Sequence, residues 1–411
     1  MKKKEKSEFE IVKDGGVCSP LGYRASACAA DIKGKKRGNL DLALLVSDTP
    51  CKTAALFTTN RVVASPVRYN KALLEMIDKY CGVIVNSGCA NACTGRKGLE
   101  NAKKTTSMAE RKLRYPANSL LTASTGVIGV QLPMDRICEH IPELCDGLSD
   151  DNGSLFATAI MTTDTVVKET AVLVNTDDGS YVIGGACKGA GMIDPSMATL
   201  LAFITTDAAL DTEELRKLLK EAADETFNSI TIDGDMSTND TLLAFANGMS
   251  GVKISNDALR KQFYEAFKWV CRELSLKVVR DGEGATKLIT VEVTGAKSDK
   301  EAKMCAYKIA NSPLVKTMFS GCDPNWGRIL SSAGASGAKF DPDKVSIWFD
   351  DLLYVKNSVI TDPSLEGEAH KIMTRPEYQI RVDLRAGEGK FVFYTCDMTM
   401  EYIKINADYR S

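Results

Sequence analysis

Residues 187–208, CKGAGMIDPSMATLLAFITTDA, gather more chemistry-capable residue types than any other stretch of this chain. Two strand-like runs, YVIGGA and LLAFITT, flank the segment. Gly189 and Gly191 admit backbone conformations closed to other residues, and Asp194-Pro195 is a turn signal. Thr199 then opens an apolar strand. A hydroxyl held at a strand mouth behind a Gly/Pro loop is suited to attack its own preceding carbonyl, that of Ala198. An N-to-O acyl shift followed by hydrolysis would leave Thr199 with a free α-amine. Such an amine, with an unperturbed pKa of roughly 8, can serve as a general base. By spacing alone the commoner case is an ordinary loop before a strand, because Thr is favoured in strands. KGAGM lacks the closing GK[ST] of a Walker A sequence.

Histidine supplies the reason to look beyond a Ser-His-Asp or Cys-His arrangement. The chain has 2 histidines, His140 and His370, and neither lies near a convincing nucleophile motif. A base other than imidazole is therefore required of any covalent mechanism. Other segments carry chemistry of their own. Thr125-Gly126, in SLLTASTGVIGVQLP, reads as a tight turn whose backbone N–H, with a nearby hydroxyl, could form an oxyanion hole. IMTTDTVVK sets Thr162, Thr163 and Thr165 around Asp164. RDGEGATK places Glu283 between glycines, where a carboxylate can approach a substrate amine; a polar hairpin turn is the plainer reading. INADYRS brings Asn406, Arg410 and Ser411 together at a terminus, where most chains fray.

These residues need strands and helices to hold them. DLALLVSDTP, TAALFTTN, GVIVNSG, SLLTASTGVIG, TAVLVN and YVIGGA read as strands. Helices are expected over 72–79 and 101–113. Asp211-x-x-Glu214 is a capping-box-like start, followed by Leu215, Leu218, Leu219, Ala222 and Ala223 at helical spacing. Leu259, Phe263, Ala266, Phe267, Val270 and Leu274 mark a second amphipathic helix, capped by Asn256 or Asp257. KLITVEVTG alternates as a strand, EAKMCAYKIA is helical, and VSIWFD, LLYV, YQIRVDLR, FVFYTCD and MEYIKI are expected as strands. The class is α/β or α+β, with sheet in both halves.

Composition bounds the rest. With 411 residues, two domains or large lobes are expected. Lys plus Arg number 52 and Asp plus Glu 54, which gives no nucleic-acid or membrane footprint. The basic start MKKKEKSEFEI has no apolar run behind it, so neither a signal peptide nor a membrane anchor is expected, and a cytoplasmic location follows. The 13 cysteines include no CxxC pair. Reduced, mostly buried thiols are expected, Cys89 and Cys93 among them, with no metal site.

Taken in order, STGVIG, MTTDT, KGAGMIDPSMATLLAFITTDA, TIDGDMSTNDT, DGEGATK, GCDPNWGRI and INADYRS resemble the ornithine acetyltransferase family of arginine biosynthesis. The resemblance runs from about residue 10 to the C-terminus. It implies a layered α/β self-processing fold, N-terminal-nucleophile-like, with mixed sheets covered by helices. It implies cleavage between Ala198 and Thr199 into an α chain (1–198) and a β chain (199–411), associated as an α2β2 heterotetramer. The implied reaction moves acetyl from N2-acetyl-L-ornithine to L-glutamate through an acetyl-Thr199 ester, without a cofactor. Some members of the family also use acetyl-CoA as donor.

The resemblance further implies roles. Thr199 matches the nucleophile, and Thr125 and Gly126 match the oxyanion hole. Thr162, Lys188, Glu283, Asn406 and Ser411 match substrate contacts. The crowding of Thr162, Thr163 and Thr165 leaves open which hydroxyl meets the substrate. Cys89 stands where the family usually carries Asn, which bears on local packing rather than on chemistry. A self-processing amidase or aminopeptidase of the same fold, and a non-catalytic binding protein, are the competing readings.

Overall fold

The computed structural model describes residues 9–35, 38–194 and 200–408. Ala198, Thr199, Arg410 and Ser411 lie outside the described residues. Among those described, two sheets organise the chain.

The first sheet has nine strands: β1 (Glu10–Ile11), β2 (Tyr23–Cys28), β3 (Leu42–Phe57), β4 (Lys79–Asn86), β5 (Leu120–Ser124), β6 (Lys168–Thr176), β7 (Gly179–Lys188), β8 (Leu201–Thr206) and β9 (Thr241–Ala246). Its order is β1-β6-β7-β8-β9-β3-β4-β5, with β2 paired to β3. The pairs β8–β9 and β4–β5 are parallel, while β7–β8 and β3–β9 are antiparallel. The second sheet has six strands: β10 (Leu288–Ala296), β11 (Ser346–Phe349), β12 (Leu352–Lys356), β13 (Val359–Ile360), β14 (Glu377–Asp383) and β15 (Gly389–Cys396), in the order β13-β12-β11-β14-β10-β15. Mixed sheets covered by helices are thus the architecture, as the sequence led one to expect.

The central strands β8 and β9 are buried along their whole length. Side chains alternate across a strand, so each strand serves two cores. Ala202, Ile204, Leu242 and Ala244 face the helices Thr212–Glu225 and Asp257–Arg280. Leu201, Phe203, Leu243 and Phe245 face the opposite layer, with Phe156 of the helix Gly153–Ala159. Strands buried on both faces read as continuous apolar runs, and LLAFITT and TLLAFA do. β10 differs: Ile289, Val291 and Val293 are buried, while Thr290 and Glu292 are half-exposed, so one face meets a core.

Several elements differ from their sequence-based expectation. The helix expected over 72–79 is Ser65–Leu74, and Lys79 already begins β4. Pro66 in its first turn needs no N–H there, and Val67, Asn70 and Leu73 form its buried stripe. The helix expected from residue 101 begins at Gly95. LALLVSDTP and TAALF are one strand, β3. Asp211 precedes its helix without a side-chain cap bond, whereas the Asn256 side chain accepts from Leu259 N–H at 2.9 Å. MEYIKI is not a strand but the start of a helix, Met400–Asp408. Asp397 ends the sheet there, its carboxylate taken by Thr286 and the Lys287 N–H, and Thr399 Oγ receives the Glu401 N–H.

Phe203 is fully buried and packs edge-to-face on Phe156 at 5.2 Å. Phe203→Ala is expected to cost about 3–5 kcal/mol, read as a clear drop in melting temperature. An unchanged melting temperature would contradict this account of the core.

Candidate active site

The turn after β5 is built by backbone pairing between two loops. Thr125 N–H donates to Asn86 O at 3.0 Å, Val127 N–H to Gly88 O at 3.3 Å, and Ala90 N–H to Val127 O at 2.9 Å. Gly126 lies between, at φ +127°, and a Cβ there would stand 2.4 Å from the Gly88 carbonyl carbon. No other residue fits so close a backbone approach. Asn86 ties the loops again, donating to Cys89 O at 2.8 Å and accepting from Ser124 Oγ at 2.6 Å. Asn239, just before β9, donates its amide to both Ala90 O (2.6 Å) and Ser124 O (2.8 Å). Among the described residues the Gly126 N–H has no hydrogen-bond partner, while its neighbours' N–H groups are both engaged.

Lys188 ends β7 and is buried, its ammonium 3.3 Å from Thr125 Oγ. Beneath it lies a charged cluster. Asp164 accepts from Lys168 Nζ at 2.6 Å, from Gly189 N–H at 2.7 Å and from Thr162 N–H at 3.0 Å. Lys168 also reaches Asp281 at 2.5 Å, and its side chain and that of Asp164 are both 0% exposed. Burial alone would raise the Asp164 carboxyl; the cations Lys188 and Lys168, and hydrogen bonds from Lys168 and Thr162, overcome it and bring its pKa down to about 2. Lys188 is shifted below the ordinary lysine value by burial, against the pull of Asp164.

The opposite wall comes from the loop after the helix Asp257–Arg280. Glu283 N–H donates to Ala190 O at 2.7 Å, and its carboxylate accepts from Asn406 Nδ2 at 2.8 Å. Gly191 lets the carboxylate sit close, since a Cβ there would be 2.5 Å from it. RDGEGATK is therefore a loop between helix and strand rather than a hairpin. The residues that flank the Thr199 segment on either side are tied down. Asp233 accepts from the N–H groups of Met192 (2.6 Å) and Ile193 (2.9 Å), and Tyr307 donates to Asp194 at 2.8 Å. On the far side Leu200 N–H donates to Asp240 at 3.1 Å, and Leu200 O accepts from Thr241 N–H at 3.1 Å.

These walls enclose one cleft of about 90 Å³, which Thr125, Gly126, Thr162, Lys188, Glu283 and Asn406 all line. Every sequence-predicted site residue within the described set is thus brought together. Thr162 and Thr163 both line the cleft, whereas Thr165 turns away to bond Asp281. A wider cavity of about 400 Å³ adjoins it across Thr162, lined by Lys33, Lys35, Asp41 and Ile405 among others.

The sequence from residue 24 to 411 matches the model of the ArgJ family. The chain belongs to the ArgJ family. An arginine biosynthesis bifunctional protein ArgJ from Dehalococcoides mccartyi (strain CBDB1) is 46% identical over 406 residues, spanning 98% of this chain and 99% of its own length. A glutamate N-acetyltransferase from Methanocaldococcus jannaschii is 42% identical, spanning 96% of this chain and 98% of its own. Among solved structures, an arginine biosynthesis bifunctional protein ArgJ from Bacillus halodurans is 41% identical, with a TM-score of 0.49 over 50% of this chain and 98% of its own.

In this member of the ArgJ family some site-building residues were not legible from sequence. Asn239 and Lys168 are not marked by their neighbours in TNDT and IMTTDTVVK, and Asp164 is marked only as the centre of a threonine cluster. Their signal was polarity inside segments otherwise flanked by buried strands. Cys89 is buried in the loop pairing with Thr125, and burial raises its thiol. Cys93 corrects the expectation of burial: it is exposed, in a left-handed turn (φ 57°) that carries it outward before the helix Gly95–Leu113. His140 bonds Arg136 O and His370 bonds Cys322 O, both away from the cleft. Among the described residues no helix is long and apolar enough to cross a membrane, and no group of three or more His, Cys, Asp and Glu is placed to hold a metal ion.

The depressed Asp164 carboxyl sets an acid window. Its folded pKa of about 2 lies below the ordinary value of 3.8, so its stabilisation is complete above the ordinary value and is lost as pH falls toward the folded one. Asp164→Asn should therefore lower the melting temperature at neutral pH, and the gap to the unaltered protein should narrow as pH falls through that window. A gap that stays constant with pH would refute the assignment.

Proposed function

We propose that this chain transfers acetyl from N2-acetyl-L-ornithine to L-glutamate, giving L-ornithine and N-acetyl-L-glutamate. The observation that carries the reading is the convergence of Thr125, Gly126, Thr162, Lys188, Glu283 and Asn406 on one cleft in a member of the ArgJ family.

The nucleophile in this reading is Thr199, freed by cleavage of the Ala198–Thr199 bond. Thr199 Oγ attacks the Ala198 carbonyl, the peptide C–N bond breaks, and water hydrolyses the resulting ester. Products are the Ala198 carboxylate and the Thr199 α-amine. Support comes from the neighbours: Leu200, bonded to residue 199, is fixed by Asp240 and Thr241, and Leu201 pairs with Lys188 across β7–β8.

Acetyl transfer then runs in two halves. The α-amine takes the Thr199 hydroxyl proton as Oγ attacks the acetyl carbonyl carbon. The oxyanion accepts hydrogen bonds from the Thr125 hydroxyl and the Gly126 N–H. The C–N bond breaks, and ornithine leaves with the proton returned by the α-ammonium. Glutamate's amine attacks the acetyl ester by the reverse route and restores Thr199. Lys188 suits a substrate carboxylate and Glu283 a substrate amine. Ser411 and Asn406 are the terminal contacts in this reading. Acetyl-CoA is a second acetyl donor in this reading, and no resident cofactor is required.

The α chain (1–198) and β chain (199–411) stay together in this reading, as an α2β2 heterotetramer in the cytoplasm. The cut falls between β7 and β8, which are neighbours in one sheet. Separation would break that ladder and expose strands buried on both faces.

The purified protein should run as two bands on a denaturing gel, the second beginning at Thr199. Thr199→Ala should leave one band and no transfer; an uncleaved, active Thr199→Ala protein overturns the mechanism. Thr125→Val should lower kcat by about 10²–10³-fold with processing scored separately on the gel. Acetylornithine deacetylation that ignores added glutamate would instead mark a hydrolase.

A further inference from the structure

Lys188 and Thr125 share a hydrogen bond whose direction depends on charge. An ammonium has three donors and no acceptor, whereas a hydroxyl has one hydrogen to give. While Lys188 is protonated, Thr125 Oγ must accept across the 3.3 Å contact. Its own hydrogen is then available to the cleft that Thr125 lines. A neutral lysine amine carries a lone pair and could draw the Thr125 hydrogen away from the substrate.

We propose that Asp164 is a positioning residue for acetyl transfer: its carboxylate keeps Lys188 an ammonium, and that donor-only group turns the Thr125 hydroxyl hydrogen toward the reacting carbonyl. The inference rests on the acetyltransferase reading above.

Burial disfavours the ammonium at this site, so nearby anions must hold it. The charged and titratable groups that face Lys188 come from five places. Asp164 precedes β6, Lys168 lies on β6, Cys187 is its neighbour on β7, Glu283 follows the long helix, and Asp240 precedes β9. Lys168 is a cation and opposes. Burial pushes Cys187 up to about 12 and Asp240 well above the ordinary carboxylate range, so both supply little negative charge. Glu283 is shared with Asn406 on the opposite wall. Asp164 is held ionised and exerts the largest favourable pull on Lys188.

The same carboxylate ties two of the lining segments together. It takes the N–H of Gly189, directly after Lys188, and the N–H of Thr162. Asp281 supplies the natural control. It shares Lys168 with Asp164 and bonds Thr165, but does not line the cleft.

The test compares full-length Asp164→Asn and Asp281→Asn with the unaltered protein, measuring kcat and KM for acetylornithine and glutamate across pH. Asp164→Asn should reduce kcat by about 10²-fold, the scale of one lost oxyanion donor, with a smaller change in KM. Its alkaline limb should move to lower pH by about one unit or more, because that limb reports the loss of the Lys188 proton. Asp281→Asn should lower stability while its limb stays in place. An unmoved limb in Asp164→Asn, or an equal displacement in both variants, overturns the proposal. Absence of acetyl transfer in the unaltered protein would instead overturn the underlying reading. If Asp164→Asn yields no folded protein, ¹³Cε-lysine titration of the unaltered protein decides. The resonance absent from Lys188→Gln should remain in its ammonium form at the pH of maximal activity, and a neutral amine there overturns the proposal.

Discussion

The ammonium of Lys168 sits between two carboxylates with no access to water, and the side of the fold that carries the cleft is arranged around it. A buried ion pair adds little net stability over apolar packing, but removing one partner leaves an uncompensated charge and costs about 3–5 kcal/mol. Such a cluster therefore specifies geometry. Asp164 and Asp281 balance Lys168 and Lys188. They lock the loop before β6 to the end of β7 and to the end of the helix Asp257–Arg280. The walls of the cleft are consequently one rigid unit rather than three independent loops.

The nine-stranded sheet imposes a second constraint. Its middle strands, β7, β8, β9 and β3, come from both sides of the proposed cleavage point. A cut between β7 and β8 severs a covalent link but none of the pairing, because the ladder Ile183–Lys188 with Leu201–Thr206 does not depend on the connection. The proposed division into α and β chains and the division into two sheets therefore fall in different places. The first sheet closes at Ala246 and the second opens at Leu288, well inside the proposed β chain. The two layers share the helix Asp257–Arg280, whose end delivers Asp281 to the buried Lys168 and Glu283 to the cleft.

Much of the strand and helix pattern is legible in the sequence. Continuous apolar runs such as LLAFITT read as strands, and so does the alternation of Ile289, Val291 and Val293; the structure adds which faces are buried. The lining positions of Gly126 and of Glu283 between glycines are legible for the same reason, since both are features of neighbouring residues. The misread elements failed where local pattern was ambiguous. MEYIKI fits either period, and only the termination of β15 by Asp397 and the Thr399 cap make it a helix. Residues 72–79 straddle a helix end and a strand start, and a short apolar run cannot mark that boundary.

The sequence by itself determined the residue types available, the shortage of histidine and the strand and helix periods, because these depend on composition and on neighbours along the chain. The ordered motifs also determined the family. Tertiary structure alone decided which distant residues meet. Asn239 bridges Ala90 and Ser124 across more than a hundred residues, and Asp281 meets Lys168 from the far end of a helix. Charge state is decided there as well, since the pKa of Asp164 or Lys188 depends on burial and on cations or anions brought close by folding. No spacing in the sequence encodes those distances; they exist only when the sheet closes.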